Sequence, residues 1–393
     1  MDSQETDVET VAGNCRGSDS NSRPLRVVFC WAEVTGYMAA CWKMLAQRGS
    51  VDLHVIHPQR FWGKVNPFHS DPDLLQGVSN EMFDSERSDS GDWLLEAVLK
   101  RRPDVVVICG WIYMPYCQLV CSNKLSSTRV ILGMDSPWRG TLKQRLARYR
   151  LARLVKRVNL VVTTGNRSDE YARRIGVPAF KLRSGYYGFD HRLFSAASSL
   201  RPTESGQWPR RFLFVGRYVP QKDLGTLIDA YSLYSRGVQN PWGLTCCGAG
   251  PDGRILRDVP GVTDAGFTQP KDLQSVFARH GVFLLPSRFE PWGVVLGEAA
   301  ASGLPLICSS ACGAGSDMVR PYYNGLVFAP QDVGGLARAM RWMHDHHSEL
   351  PMMGARSQVL SESYSAEFWA QRWHNYLLET LEQGQVGVVN TLS

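Results

Sequence analysis

Residues 212–231 read FLFVGRYVPQKDLGTLIDAY and contain a complete strand, turn and helix unit. The apolar run FLFV is too short for a helix and has no polar face, which is typical of a strand buried on both faces of a sheet. The following LGTLIDAY has apolar residues at helical spacing. A buried strand that leads into an amphipathic helix is the repeating unit of a parallel α/β sheet.

The same unit recurs in both halves of the chain. The strand-like runs of the first half are RVVFC (26–30), VDLHVI (51–56), DVVVIC (104–109), RVILG (129–133), LVVTTG (160–165) and AFKL (179–182). Those of the second half are RFLFVG (211–216), GLTCCG (243–248), GVTDAGF (261–267), VFLLPS (282–287), PLICSS (305–310) and GLVFAP (325–330). Helical patterns separate them, so the predicted fold class is α/β, with two Rossmann-like domains whose parallel sheets face an interdomain cleft.

The domain boundaries are predicted from length and composition. A chain of 393 residues is too long for one ordinary domain and suits two. The polar stretch 195–210, which contains two prolines and a glycine, is predicted to be the linker. It separates an N-terminal domain, residues 24–194, from a C-terminal domain, residues 211–364. An acidic segment, residues 1–23, is predicted to be a disordered tail, and a helical segment, residues 365–393, ends the chain.

Composition excludes several classes of protein. The hydrophobic fraction is 44% and the charged fraction 20%, which excludes collagen-like, coiled-coil and wholly disordered chains. The ten cysteines form no C-x-x-C pair, so neither a zinc ribbon nor a redox motif is predicted. Residues 1–23 lack the apolar segment of a signal peptide, and the uncharged stretch 105–123 is better explained as a buried strand entering a loop than as a membrane span. We therefore expect a cytoplasmic protein.

The positive charge is concentrated in one place. The formal net charge is +6, and residues 139–160 contain eight Lys or Arg and no acid, so the rest of the chain is slightly negative. The stretch is helical in pattern, with Leu142, Leu146, Tyr149 and Leu154 on roughly one side. Either it contacts an anionic membrane peripherally or it is an ordinary solvated surface helix. A nucleic-acid partner is not expected, because no aromatic stacking platform or helix-turn-helix pattern accompanies the charge.

Two glutamates mark a candidate sugar site in PSRFEPWGVVLGEAAASGLP, residues 286–305. Glu290 follows a strand, and Glu298 comes eight residues later, which predicts a position about two helical turns deeper. The N–H groups of the helix start between them suit a phosphate or a sugar oxygen. Each carboxylate could bind a pair of sugar hydroxyls; the alternative is two solvated helix glutamates.

Two cations mark a candidate diphosphate site. Gly216 and Arg217 follow the strand of residues 212–215, and Lys222 comes just before the next helix. An Arg and a Lys at one strand end match a pyrophosphate in size and charge. Further loops lie in the same half of the chain: GAGPDG (248–253), GFTQPKDL (266–273), SSACGAGSDMV (309–319) and YYNGLVF (322–328).

In this order and spacing, these segments resemble the nucleotide-sugar domain of retaining glycosyltransferases of family 4, which have the GT-B fold. The resemblance is dense over residues 210–345 and looser in the first half. It implies that Arg217 and Lys222 hold the donor diphosphate, that Glu298 binds the ribose hydroxyls, and that Glu290 binds the hydroxyls of the transferred sugar. It also implies roles for six residues of the donor site, namely Gly216 beside the diphosphate, Gly266 and Phe267 near the base, and the backbone of Trp292, Gly293 and Val294 around the phosphate and sugar.

The family resemblance implies the mechanism as well. The leaving diphosphate and the attacking hydroxyl share one face of the sugar, and the donor phosphate accepts the hydroxyl's proton. Arg217 and Lys222 stand in for a metal, so neither a metal nor a cofactor is expected. The family usually has Phe where Trp292 stands, which raises the possibility of an altered sugar preference, and often Glu where Asp317 stands.

The first half departs from the family pattern on the acceptor side. The loop WAEVTGYMAA (31–40) keeps only Gly36 where relatives often have two glycines. Met134-Asp135 stands where a His-Asp pair is common, so Asp135 keeps a candidate role near the acceptor hydroxyl. The alternatives for Asp135 are core placement or a helix N-cap. The implied partners are a nucleotide-sugar donor and a glycan or lipid-linked acceptor.

The resemblance also assigns the last segment. In the GT-B fold, a final helix crosses back onto the N-terminal domain, and Phe368, Trp373 and Leu377 are predicted to form its packing face.

Three other functions compete with sugar transfer. A dinucleotide oxidoreductase would need G-x-G-x-x-G after its first strand, and WAEVTGYMAA lacks it. A phosphorylase would need a pyridoxal phosphate site, which no segment suggests. A non-catalytic nucleotide-sugar-binding scaffold or regulator remains the alternative, although Arg217, Lys222, Glu290 and Glu298 are all present.

Overall fold

The computed structural model describes residues 23–61, 64–65, 74–85, 90–201 and 208–389. Two parallel sheets, each covered by helices on both faces, account for most of these residues, which confirms the predicted α/β class. Except for Arg23, the predicted tail lies outside the described residues. We number strands and helices in chain order.

The first sheet has seven strands in the order β5-β2-β1-β6-β7-β8-β9, and all of its pairs are parallel. Its strands are β1 (Leu25–Cys30), β2 (Val51–Pro58), β5 (Ser79–Phe83), β6 (Val105–Ile108), β7 (Arg129–Met134), β8 (Leu160–Thr163) and β9 (Leu182–Ser184). A separate antiparallel ribbon joins β3 (Arg60–Phe61) and β4 (Lys64–Val65). The edge strand β5 was not predicted, because its solvent-exposed residues give it no continuous apolar run.

The second sheet has six strands in the order β12-β11-β10-β13-β14-β15, again all parallel. Its strands are β10 (Arg211–Val215), β11 (Gly243–Cys247), β12 (Val262–Gly266), β13 (Val282–Leu285), β14 (Leu306–Ser309) and β15 (Gly325–Phe328). All six were predicted. The central strands are apolar on both faces, which makes them readable from the sequence, whereas the edge strand β12 is mostly exposed.

Fourteen α-helices lie within the described residues. Those of the first half are α1 (Gly36–Ala46), α2 (Ser90–Arg101), α3 (Met114–Val120), α4 (Leu142–Arg150), α5 (Ala152–Arg157), α6 (Asn166–Arg174) and α7 (His191–Ser199). Those of the second half are α8 (Leu224–Arg236), α9 (Leu273–Ala278), α10 (Val294–Ala301), α11 (Gly313–Met318), α12 (Val333–Asp345), α13 (Leu350–Ser361) and α14 (Ala366–Val389). The predicted basic helix is divided at Leu151, where α4 ends and α5 begins.

The chain passes between the two domains twice, at neighbouring points. Phe189 pairs with Ser365 in a parallel bridge; the Phe189 N–H donates to the Tyr364 carbonyl at 3.1 Å, and the Ala366 N–H donates to the Phe189 carbonyl at 2.8 Å. Helix α7 already packs against α9 and α10 of the second domain. The predicted linker, residues 195–210, was therefore placed too late: the chain already crosses near Phe189, and helix α7, which includes residues 195–199, packs with the second domain. The other domain boundaries stay predictions.

The last helix, α14, returns to the first domain and packs on α1. The indole N–H groups of Trp369 and Trp373 donate to the carbonyls of Tyr186 (2.9 Å) and Gly185 (3.1 Å), and both rings are fully buried. Leu377 is also buried, as predicted, but Phe368 is 56% exposed. The predicted packing face was therefore wrong at its first residue, where Trp369 takes the place assigned to Phe368.

None of the helices within the described residues combines the length and the apolar character that a bilayer span requires. The uncharged stretch 105–123 contains strand β6 and helix α3.

Candidate functional site

A buried ion pair joins two of the predicted site residues. Lys222 ends a 3-10 turn, Pro220–Lys222, directly after β10, and its ammonium group donates to the carboxylate of Glu290. The side chains are only 10% and 11% exposed. The Ser287 hydroxyl also donates to the same Glu290 oxygen at 3.2 Å. The alternative of a solvated Glu290 is therefore wrong.

The backbone holds Glu290 in place from the other side. Its N–H donates to the Ala311 carbonyl (3.2 Å), and its own carbonyl accepts from the Gly313 N–H (3.0 Å). These bonds form a parallel bridge between Glu290 and Cys312, just after β14. A Cβ at Gly313 would overlap the Pro291 carbonyl, so only glycine allows the two segments to approach this closely.

Gly293 connects Glu290 to helix α10. It is the N-cap residue, with φ of 91°, in the left-handed region that favours glycine. A Cβ on Gly293 would lie 2.9 Å from Glu290 Cγ. The first helical residue is Val294, so Glu298 is one turn into the helix. The predicted separation of two helical turns was wrong, because residues 290–293 are not helical.

Glu298 lies recessed in the cleft. Burial raises the pKa of Glu298 from 4.5 to about 7. Its charge contributes to the raised pKa of Tyr37, which reaches the cleft from α1 of the first domain. A carboxylate with so high a pKa changes its charge near neutral pH.

Glycines shape the edge of the site at the end of β10. A Cβ at Gly248 would overlap the Gly216 carbonyl, and one at Gly250 would overlap the Tyr218 carbonyl. The loop after β11 therefore lies directly on residues 216–218. Arg217 itself is exposed, and its guanidinium has no hydrogen-bond or ion-pair partner among the described residues.

The predicted base-binding residues follow β12. Gly266 has φ of 68°, and its carbonyl accepts from the Gly248 N–H at 2.8 Å, which joins the loops after β11 and β12. Phe267 is half exposed and makes no ring contact within the described residues. Its face is available to a planar ligand.

Trp292 is buried, and its ring points away from solvent. The ring packs on Tyr364, with centroids 5.7 Å apart, and a Cβ at Gly165 would lie 2.9 Å from it. It therefore contacts the first domain directly. The sequence left open whether the Trp292 ring affects sugar preference. The position of the ring does not support a direct contact with a bound sugar.

Asp135 faces the site from the first domain, directly after β7. The Tyr187 hydroxyl donates to Asp135 Oδ2 at 3.1 Å, and the Ser136 hydroxyl donates to Oδ1 at 3.4 Å. Burial raises the pKa of Asp135, and the negative charge of Glu290 adds to this effect. The N-cap alternative is wrong, because Thr141 caps the next helix through its side chain.

Two tyrosines line the seam between the domains. The rings of Tyr37 and Tyr187 are 5.5 Å apart in an edge-to-face arrangement, and each packs against the hydrophobic cores of both domains. Gly36 is the first residue of α1, and a Cβ there would lie 4.0 Å from Pro270 Cβ in the second domain. The predicted acceptor-side residues thus border the same cleft as Glu290 and Glu298.

Two polar contacts close the cleft rim. The Arg139 guanidinium lies over the Phe289 ring, 4.4 Å from its centroid, and Asn166 Nδ2 donates to Asp317 Oδ1 at 2.6 Å. Sequence reasoning missed Tyr37, Tyr187 and the Asn166–Asp317 contact. Tyr187 and Asn166 follow strands of the first sheet, a position that many loop residues share. Tyr37 and Asp317 lie within helices α1 and α11, where no motif marks them.

The described residues contain no group of three or more His, Cys, Asp or Glu side chains that could hold a metal ion. That sugar transfer here needs no metal stays a prediction.

The architecture matches solved structures over most of the chain. HepE of Anabaena in complex with UDP has a TM-score of 0.72 at 17% identity, covering 90% of this chain and 100% of that chain. At this identity the match shows the fold alone, and it confirms the predicted GT-B architecture. HepE structures also contain UDP-glucose.

Residues 209–346 match the family model described as Glycosyl transferases group 1. Glycogen synthase of Mycobacterium tuberculosis is 28% identical over 199 residues, which are 48% of this chain and 45% of that protein. Over this part of the chain the sequence is therefore similar to glycosyltransferases, and its fold is the GT-B fold. Lipopolysaccharide 1,6-galactosyltransferase of Escherichia coli is 25% identical over 188 residues, which are 44% of this chain and 49% of that protein. The chain thus spans about half the length of the curated relatives it matches.

Proposed function

We propose that the chain is a retaining glycosyltransferase of family 4. It would transfer a hexose-type sugar from a nucleoside-diphosphate sugar to a hydroxyl of a glycan or lipid-linked acceptor. The observation that carries this proposal is the buried Lys222–Glu290 pair, which lies beside the start of α10 and faces Asp135 across the cleft. The UDP and UDP-glucose held by HepE support a nucleotide-sugar as the donor.

The donor would occupy the edge of the second sheet. The Arg217 guanidinium has no partner among the described residues and can bind a phosphate oxygen. Lys222 has three N–H donors, so it can bind a second phosphate oxygen while its ion pair with Glu290 persists. In this proposal, Glu290 binds the transferred sugar through its second carboxylate oxygen, Glu298 binds the ribose, and Phe267 stacks on the base. Gly216, Gly266 and the backbone of residues 292–294 surround the diphosphate and sugar.

The proposed transfer breaks the bond between the anomeric carbon and the diphosphate oxygen, which leaves with the electron pair. The acceptor oxygen forms its bond on the same face of the sugar, and its proton passes to an oxygen of the leaving phosphate. Arg217 and Lys222 stabilise the charge that develops on the diphosphate, so neither a metal nor a cofactor is required. Asp135, oriented by Tyr187, would position the acceptor hydroxyl near Gly36.

We also propose that the enzyme works in a reducing compartment, the cytoplasm. The nine cysteines of the described residues are all free thiols, and most are buried. Burial raises the pKa of Cys109 to about 12, which keeps that thiol protonated and unreactive.

A thermal shift experiment tests the donor site. The purified chain is heated with UDP, GDP, ADP or dTDP, and then with the matching sugar conjugates. A nucleotide at 100 times its dissociation constant stabilises the folded chain by about 2.7 kcal/mol, which raises the melting temperature by a few degrees. Lys222→Met should abolish the shift, whereas Lys124→Met, an exposed lysine outside the cleft, should keep it.

Two results separate the proposal from its alternatives. If no nucleotide shifts a cooperative melting transition, the donor site is wrong. If a nucleotide-sugar binds but no nucleotide is released over long incubation with candidate acceptors, the chain is the non-catalytic scaffold or regulator. Where transfer occurs, the anomeric configuration of the product, read by proton NMR, tests retention.

A further inference from the structure

Helix α4 presents an apolar stripe to solvent. Leu142, Leu146 and Tyr149 are 72%, 50% and 78% exposed. At 3.6 residues per turn, these three side chains lie within about 60° of one another around the helix axis. Ala147, on the far side, is the only buried residue of the helix. The stripe is therefore a surface feature that packing against the domain does not explain.

Cations border the stripe on both sides. Arg145 follows one edge, and Lys143 and Arg150 follow the other; all three are exposed. Residues 139–160 contain no acid, and the side chains of Lys143 and Arg150 have no ion-pair partner among the described residues. An apolar stripe between two rows of cations is the geometry of a helix that lies in the surface of an anionic bilayer.

The rest of the domain fixes how this helix is presented. The Gln144 side chain accepts from the Arg139 N–H (2.7 Å) and donates to the Pro137 carbonyl (2.8 Å), and the Thr141 side chain caps the first turn. These contacts attach α4 to the domain through its polar groups, so the apolar stripe faces solvent. The apolar side chains thus need no rearrangement before they meet a partner.

The stripe lies at the acceptor edge of the first domain. Helix α4 follows Asp135 after a six-residue loop, and that loop's Trp138 packs on Tyr171, as does Trp111 from the loop after β6. Next to Trp111, Ile112 and Met114 are more than half exposed. Exposed apolar side chains therefore continue along the edge where the acceptor loops emerge.

We propose that the α4 face, formed by Leu142, Lys143, Arg145, Leu146, Tyr149 and Arg150, docks on an anionic lipid bilayer and directs the acceptor side of the cleft toward the lipid surface. The docking itself does not depend on the proposed transferase function. The choice of a lipid-linked acceptor does rest on that function. A symmetric pairing of two copies through this face is disfavoured, because it would bring like charges together.

Co-sedimentation with vesicles tests the docking. The full chain is mixed with vesicles of phosphatidylcholine alone or of phosphatidylcholine with phosphatidylglycerol. We expect binding only to the anionic vesicles, and weaker binding as salt is added. Leu142→Ser/Leu146→Ser/Tyr149→Ser and Lys143→Gln/Arg145→Gln/Arg150→Gln should each weaken binding about tenfold or more.

Matched controls separate the face from overall charge and hydrophobicity. Lys100→Gln/Arg236→Gln/Arg257→Gln removes the same charge from other exposed positions, and Met352→Ser/Val359→Ser removes exposed apolar groups from α13. Both should bind vesicles like the parent chain. Equal binding by the α4 variants and the parent, or no binding by the parent, overturns the proposal. The proposal is also overturned if the α4 variants lose only self-association, measured by analytical ultracentrifugation, and still bind vesicles like the parent.

The nucleotide-induced thermal shift distinguishes the two proposals. Neither α4 variant should change it, because the α4 face lies outside the donor site. If the chain binds UDP but not vesicles, only the docking proposal is contradicted. If it binds vesicles but no nucleotide, only the proposed donor site is contradicted.

Discussion

Lys222 and Glu290 are 68 residues apart in the chain, yet their side chains form an ion pair that is almost closed to solvent. Each comes from a loop that follows a strand of the second sheet, β10 for Lys222 and β13 for Glu290, and these strands are neighbours. The carboxyl ends of neighbouring parallel strands meet at one sheet edge. The pair is thus a direct product of the strand order.

Removal of either charge should nearly abolish turnover. We expect Lys222→Met and Glu290→Gln each to lower the rate of nucleotide release about 100-fold, because contacts to the departing diphosphate and to the sugar are lost. Steady-state kinetics with the nucleotide-sugar found by thermal shift measure this effect. Near-normal rates in either variant with an intact fold contradict the assigned roles.

The same substitutions make a separate prediction about stability. A single change leaves a buried charge without its partner and should cost about 3 kcal/mol or more, whereas Lys222→Met/Glu290→Gln together should regain part of that loss. Urea denaturation of the parent, both single variants and the double variant measures the coupling. If the double variant is no more stable than the less stable single one, the pair is not coupled as its geometry indicates.

Glu298 should destabilise the fold as pH rises. Below about pH 4.5, the carboxyl group is protonated in both the folded and the unfolded chain. Between pH 4.5 and 7, the unfolded chain loses this proton while the folded chain keeps it, so stability falls with pH until the penalty is complete above about pH 7. Glu298→Gln should therefore be more stable than the parent at pH 8, with the difference fading toward pH 5.

Melting temperatures of the unliganded proteins across this pH range measure that difference. The control is Glu96→Gln, an exposed glutamate on α2, for which no such gain at pH 8 is expected. A gain for Glu298→Gln that does not vary with pH would contradict the raised pKa.

Tyr187→Phe should impair the acceptor side alone. The substitution removes the hydroxyl that donates to Asp135, which leaves the carboxylate less well oriented. We expect turnover to fall roughly tenfold, with an unchanged nucleotide dissociation constant. Tyr231→Phe, which loses a hydroxyl bonded to the Gly261 carbonyl on the other side of the second domain, is the matched control. A parallel loss of nucleotide binding would show that Tyr187 acts elsewhere.

The last helix should carry much of the first domain's stability. Trp373→Ala removes a fully buried indole and its bond to the Gly185 carbonyl, at an expected cost of about 3–5 kcal/mol. Phe368→Ala, five residues earlier on the exposed face, should change stability by less than about 0.5 kcal/mol. Urea denaturation measures both, and equal costs would contradict the orientation of α14.

The sequence predicted what depends on local pattern. Runs such as Val105–Ile108 and Leu306–Ser309 are apolar on both faces and identify buried strands without any long-range information. Strand β5 lies at a sheet edge and shows no such run, and α14 has aromatic residues on two faces, so the assignment of Phe368 rather than Trp369 to the core was off by one residue.

Pairwise geometry was beyond the reach of sequence reasoning. Lys222 and Glu290 were each predicted as ligands of the donor, but their mutual ion pair depends on strand order and on the bridge between Glu290 and Cys312. The hydrogen bond from Tyr187 to Asp135 spans 52 residues and has no motif. Neither contact leaves a periodicity that a single sequence can reveal.

The return of α14 to the first domain affects the order of events during synthesis. Phe29, from the first strand, packs on Trp369 and Trp373, with ring centroids 6.3 and 5.4 Å away. A ribosome therefore finishes the first sheet long before it makes the aromatic side chains that cover it. Until the final helix emerges, the nascent chain must carry an uncovered apolar face, for which chaperone protection is the expected requirement.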